Sequence, residues 1–139
     1  VASFIYTSCI DDEAKGSINF NSDTFKLMLV TSSYAADQDA HLKRSSVTNE
    51  ITGTGYTAGG VTLTKSVTKD TATNKVTITF NSTSWASSTI TARAGVIYKS
   101  RGGASSADEL VAYIDFGVDV SSTGGTFNVS ASTITKQLA

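Results

Sequence analysis

The feature that most constrains this chain is the alternation in Leu110-Val-Ala-Tyr-Ile-Asp-Phe-Gly-Val118. Leu110, Ala112, Ile114, Phe116 and Val118 alternate with Val111, Tyr113, Asp115 and Gly117, and a period of two sets the first group on one face of a strand. A helix would scatter the same residues around its circumference, so the stretch commits the chain to a sheet. A second strand is expected just upstream, where Ile90, Ala92 and Ala94 alternate with Thr91 and Arg93, break at Gly95 and resume as Val96-Ile97-Tyr98. A glycine in such a run marks a bulge or a close backbone approach. Between the two, Lys99 to Glu109 is small, polar and glycine-bearing and reads as an exposed loop around Arg101. Thr89 to Val118 is therefore predicted to be a central hairpin whose apolar face needs a cover and whose edges need neighbours.

The rest of the chain supplies candidates for both. Phe25, Leu27 and Leu29 alternate with Lys26, Met28 and Val30, so Thr24 to Ser32 is expected to be an inner strand with two apolar faces. Val61 and Leu63 restart a strand, and Ser66 to Lys69 pairs with Lys75 to Asn81 across the turn Asp70 to Asn74, with Val76, Ile78 and Phe80 on one face. Trp85 is expected to plug one end of the core. Ser121 to Gly125 reads as a turn and Thr126 to Ile134 as a last strand. Ala2 to Gly16 is the helix candidate, with Ser3 as its cap, Gly16 as its terminator and Phe4, Ile5, Cys9 and Ile10 as an apolar stripe. The expected fold is mainly β: an antiparallel β-sandwich, with the jelly roll as a candidate topology, and a short N-terminal helix in a single domain spanning residues 1–139.

A formal net charge of -1 and a pI near 5.7 speak against a general electrostatic partner such as nucleic acid or an anionic membrane. Only 17% of residues are charged, and Ser and Thr fill the exposed-looking positions, a surface suited to packing against other protein. A lone cysteine, Cys9, makes no internal disulfide. No apolar run reaches the roughly 20 residues of a membrane-spanning helix, and the basic start of a secretory leader is absent, so synthesis in a cytosol is expected.

The catalytic and binding patterns fare poorly. His41, the single histidine, sits near Asp37 and Asp39 without ligands at metal-site spacing, and a calcium loop would need a glycine and a distal glutamate that are missing. Gly53, Gly55, Gly59 and Gly60 match neither a dinucleotide nor a Walker pattern and read as tight turns or close contacts. No Gly-x-Ser-x-Gly elbow occurs. Asn81-Ser-Thr83 and Asn128-Val-Ser130 match glycosylation acceptors only as chance would supply them in a Ser/Thr-rich chain. Lys43, Arg44, Arg93, Lys99 and Arg101 read as scattered, mostly solvated cations. No enzyme, metal or cofactor is expected.

Tyr34 to Gly60 lacks periodicity, and a connection this long is either functional or an arm that a partner must order. FKLMLVTSSY (Phe25 to Tyr34), VTNEITGTGYTAGG (Val47 to Gly60), WASSTITARAGVIYKS (Trp85 to Ser100) and VAYIDFG (Val111 to Gly117) together resemble the capsid cement, or decoration, proteins of tailed bacteriophages. The resemblance implies a non-enzymatic β protein that binds the outside of an icosahedral shell, with the major capsid protein and a second copy of itself as partners. On that reading the contacts fall to the arm, through Tyr34, His41, Arg44 and the aromatic anchor Tyr56, and to the loop around Arg101. A head-tail joining or tail role is one alternative. A carbohydrate-binding module that stacks sugars on Tyr34, Tyr56 and Tyr98 is another.

Overall fold

The structure, a computed structural model, describes residues 2–137. Its elements are β1 (Phe4–Ile5), α1 (Thr7–Ala14), β2 (Phe25–Val30), β3 (Val61–Thr62), β4 (Lys65–Asp70), β5 (Lys75–Phe80), β6 (Thr83–Lys99), β7 (Leu110–Val129) and β8 (Ser132–Lys136), with two short 3-10 turns at Arg44–Ser46 and Ser105–Ala107. Two antiparallel sheets form, one in the order β1-β7-β6-β2-β3 and one in the order β4-β5-β8. They pack face to face, with Phe25, Leu27 and Ile97 of the first sharing a core with Ile78, Phe80 and Ile134 of the second. The chain is thus a β-sandwich with a short N-terminal helix. Its strands divide five and three, with β4 beside β5 and β6 beside β7, which is not the pair of Greek keys that makes a jelly roll.

The expected central hairpin exists and is longer than its alternating stretches. β6 and β7 pair from Tyr98 opposite Leu110 out to Thr83 opposite Val129. The predicted turn at 121–125 is therefore part of β7, and the chain changes sheet only at Ser130 and Ala131. The register slips four times along the ribbon, and those slips explain where the alternation misleads. Ile97 faces Ala112 while Tyr98 faces Leu110, so Val111 is an extra residue on β7. One inserted residue moves everything beyond it to the other face. Leu110 accordingly joins Tyr98 in a second apolar cluster, parted from Ala112, Ile114 and Phe116, which pack toward the sandwich core.

The largest slip lies between Ala92 and Ala94, which face Val120 and Asp115. Residues 116–119 thus stand opposite Arg93 alone, and Val118 is pushed outward to 63% exposure. The same irregularity leaves Ile90 and Ala92 in the sandwich core but Ala94 in the second cluster. Gly95 is a site of close approach, since a Cβ there would lie 2.8 Å from Leu27 Cδ1.

The second cluster covers the opposite face of the large sheet, where Tyr6, Tyr34 and Tyr113 pack with Met28, Val30, Val96 and Tyr98. This explains why β2 is apolar on both faces. The N-terminal helix starts later than expected because Phe4 and Ile5 are claimed by β7, pairing with Tyr113 and Ala112. Ser3 is not its cap; its hydroxyl accepts a hydrogen bond from the Asp115 amide instead. Of the proposed helical stripe only Cys9 points inward from α1, its thiol pushed up to about 12 by burial, while Ile10 is exposed. Gly16 follows the last turn as expected, its amide bonded to the Glu13 carbonyl.

Gly60 offers a test of how closely the chain lies on β2. It has φ +79°, and a Cβ there would sit 1.8 Å from the Leu27 carbonyl oxygen, whereas Gly102 has the same φ with nothing within 4 Å. Gly60→Ala is expected to cost about 4 kcal/mol or more and Gly102→Ala about 1 kcal/mol, because only the first adds a backbone collision to the left-handed penalty. Equilibrium urea unfolding of the two variants checks the difference, and equal costs would contradict the packing.

Candidate functional site

Strand β2 shows what the aperiodic arm does. β3 covers only Lys26 and Leu27, and an uncovered edge is a template for unwanted pairing. The arm closes the remainder. The Thr31 amide donates to the Asn49 carbonyl, the Ile51 amide to the Leu29 carbonyl, and Val30 bridges to Glu50. At Leu29 no backbone group reaches the amide, and the Tyr56 hydroxyl accepts it at 3.0 Å while donating to the Glu50 carboxylate. The same Glu50 oxygen accepts the Gly59 amide at 2.7 Å. Burial, helped by the bond to Glu50, holds the Tyr56 phenol far above its usual range.

The glycines of the arm mark where it touches the sheet. Thr54 bridges to Thr89, and a Cβ at Gly53 or Gly55 would collide with Thr89 or Ser88 of β6. Of the two readings of the arm, a functional segment or one that a partner must order, the second is corrected: its own sheet orders it. Tyr56 does anchor, but inward.

Tyr34 and His41 are turned inward as well. The Tyr34 hydroxyl lies 2.9 Å from that of Tyr6 and 2.8 Å from His41 Nδ1. The Asp37 amide also donates to Nδ1, so that nitrogen is the acceptor and the ring proton sits on Nε2. Donation then runs from Tyr6 to Tyr34 to His41. Burial raises the Tyr6 and Tyr34 phenols. Asp37 caps its own turn by accepting the Asp39 and Ala40 amides, and Asp39 accepts the Thr7 hydroxyl. Among the described residues no three His, Cys, Asp or Glu side chains are grouped to hold a metal ion.

Three of the cations read as scattered and solvated, Lys43, Arg44 and Arg101, are in fact organised around two buried carboxylates that the sequence reading placed in an exposed loop, while Arg93 pairs with Asp115. Asp108 and Glu109 are 1% and 2% exposed. Arg44 lies over the Tyr98 ring at 4.9 Å and donates from Nε to Asp108 at 2.8 Å, and the Arg101 amide donates to the other Asp108 oxygen. The Arg101 guanidinium grips both oxygens of Glu109, with Lys43 nearby at 3.8 Å. Lys99 completes the group through Asp23 at 2.9 Å and the Ser17 carbonyl. Desolvation alone would raise Glu109, but the bonds from Arg101 and the charges of Lys43 and Arg101 outweigh it and leave the carboxyl below its usual value. Asp23 is lowered in the same way, its desolvation overcome by the Asn19 amide and Lys99. Arg44 and Arg101, from two distant stretches of sequence, thus meet at one clamp. No motif announces it, since Asp108 and Glu109 look like any polar pair before a strand.

Tyr98 is also buried, its hydroxyl donating to the Gly59 carbonyl. Of the three rings proposed to stack sugars, Tyr34 and Tyr98 are thus buried and Tyr56 is half-buried.

No family model, curated protein or solved structure matches this chain. No helix among the described residues is long and apolar enough to cross a membrane.

What the arm and the central hairpin build together is a shallow depression of about 430 Å³. Thr31 and Thr52 line one side, and Thr89, Thr91, Ser121 and Thr123 the other, with Glu50 as the single ionisable lining residue. Thr91 and Ser121 share a hydroxyl hydrogen bond at 2.8 Å across β6 and β7.

Three outcomes follow from this geometry. Tyr56→Phe leaves the Leu29 amide and Glu50 without their partner and is expected to cost about 2 kcal/mol, with faster hydrogen exchange at the Leu29 amide as its local signature. Arg44→Met strips a buried carboxylate of its cation and is expected to cost about 3 kcal/mol in urea unfolding. Because Asp23 and Glu109 are depressed in the folded state, their contribution is complete above the unfolded values of about 3.9 and 4.3 and is lost as pH falls through the folded ones. The urea midpoint should therefore drop on acidification below about pH 4, with a shallower slope in Glu109→Gln; an unchanged slope would contradict the assignment.

Proposed function

We propose that this protein is a non-enzymatic virion component that binds and stabilises the outside of a tailed-phage icosahedral capsid, with the major capsid protein and a second copy of itself, in a dimer, as partners. The observation that carries the reading is the hydroxyl-lined depression shared by the arm and the hairpin, both of which lie within the stretches that resemble decoration proteins. Interface centres are poor in charged groups, and a Ser or Thr hydroxyl can donate or accept as a neighbouring backbone requires. The arm is already ordered on its own sheet, so docking need not include its ordering cost. Binding the assembled shell better than the free subunit stabilises the lattice by mass action, and many modest contacts add across it. Neither nucleic acid nor membrane enters this scheme. On this view Tyr34, His41, Arg44 and Tyr56 act by holding the arm in shape, with Arg101 clamping the adjoining loop.

Incubating purified protein with undecorated heads and counting bound copies by electron microscopy tests the proposal. Binding at repeated sites over the shell is expected, and Thr52→Lys with Thr91→Lys should weaken it at least ~10-fold by placing charge at the contact. Absence of binding would overturn the proposal. Density at a single vertex in few copies would replace it with a head-tail joining role.

A further inference from the structure

Beyond any contact with a shell, the molecule carries two exposed features that fit each other. The first is the bulge at residues 116–119, which stands off the edge of the large sheet with Val118 at its tip and Asp119 beside it. The second is a cleft of about 390 Å³ between the inner face of the small sheet and residues 16–21, walled by Ile18, Phe20, Val67, Val76 and Ile78, with the Glu13–Lys136 ion pair also in its lining. Val67, on its outer wall, is 41% exposed although it faces the same way as Ile78, because β4 overhangs the large sheet. Lys65 and Lys69 flank Val67 on that face by the period of two. Among the described residues neither lysine and no partner of Asp119 is found in an ion pair.

We infer that the acidic, valine-tipped bulge of one copy docks in this cleft of another, with Asp119 meeting the lysines that flank Val67 on β4. The contact is head to tail, because knob and socket are different surfaces of the same chain. Symmetric pairing is poorly served by the edges next to these two features, β4 and β7. A two-fold pairing of β4 through Val67 sets Lys65 against the copy's Lys69, and one through Thr68 sets Val67 against it. The edge of β7 is broken by its own register slips. A head-to-tail contact instead repeats from copy to copy, closing into a ring or continuing as a chain. It concerns the free protein, so it stands or falls separately from capsid binding.

Sedimentation velocity of the full chain at low salt is the experiment. Wild type should form species larger than a dimer as concentration rises, and Val118→Asp or Val67→Asp should each leave a monomer. Both side chains are exposed, and circular dichroism checks that the variants remain folded. Mixing the two variants is decisive. Val118→Asp retains a working cleft and Val67→Asp a working bulge, so the mixture should give a dimer and nothing larger. Asp119→Lys and Lys69→Glu should each weaken assembly at least ~10-fold, and the two combined in one chain should restore it. A wild type that stays monomeric, single variants that assemble normally, or a mixture that remains monomeric would each overturn the inference.

Discussion

A strand buried on both faces still has to pair its backbone, and β2 is the strand on which this constraint bears hardest. Its inner edge is satisfied by β6 over its whole length, but its outer edge meets a regular strand only at Lys26 and Leu27. The arm supplies the rest with backbone groups where it can and with one phenol where it cannot. That phenol fixes Glu50, Glu50 fixes Gly59, and Gly59 receives the Tyr98 hydroxyl from β6. One chain of hydrogen bonds thus ties the arm from Glu50 to Gly59 to the amide of Leu29. Leaving that amide buried and unsatisfied would cost on the order of a few kcal/mol, a large share of a domain's net stability.

The electrostatic clamp works on the same segment from its other end. Arg44 is held between the Tyr98 ring and Asp108, and Asp108 in turn fixes the Arg101 backbone. The loop joining β6 to β7 and the arm crossing above it are consequently one rigid piece. Buried ion pairs add little net stability compared with apolar packing, but breaking one is costly. Their effect here is on geometry: they determine where the arm lies while its apolar contacts determine how firmly it is held.

The sequence is most legible where local rules govern. The β4–β5 hairpin, the two-faced character of β2 and the core position of Trp85 all follow from alternation, turn residues and size, and the structure agrees. It is least legible where an inserted residue or a distant partner decides. Val111 looks like any residue in an alternating run, yet as a bulge it sends Leu110 to the opposite face. Phe4 and Ile5 sit at helical spacing from Cys9, yet the unpaired edge of β7 claims them as a strand. Tyr56 could be singled out as an anchor, but which way it anchors depends on an amide some two dozen positions earlier. Asp108 and Glu109 are hidden for the same reason: the pair becomes a buried clamp only when Lys43, Arg44 and Arg101 converge on it.

The pairing of β1 with β7 has a consequence for how the molecule comes into being. Phe4 lies opposite Tyr113, so β1 is completed by a segment that follows it at long sequence separation. Contacts of such long sequence separation slow folding because the intervening loop must close before they form. During synthesis Phe4 and Ile5 emerge long before Ala112 and Tyr113, and the sheet they border stays unfinished until those residues have left the ribosome. A truncated product would lack not only its own missing strand but also the cover over Phe4 and Tyr6, and would present aromatic surface to whatever quality control surveys nascent chains.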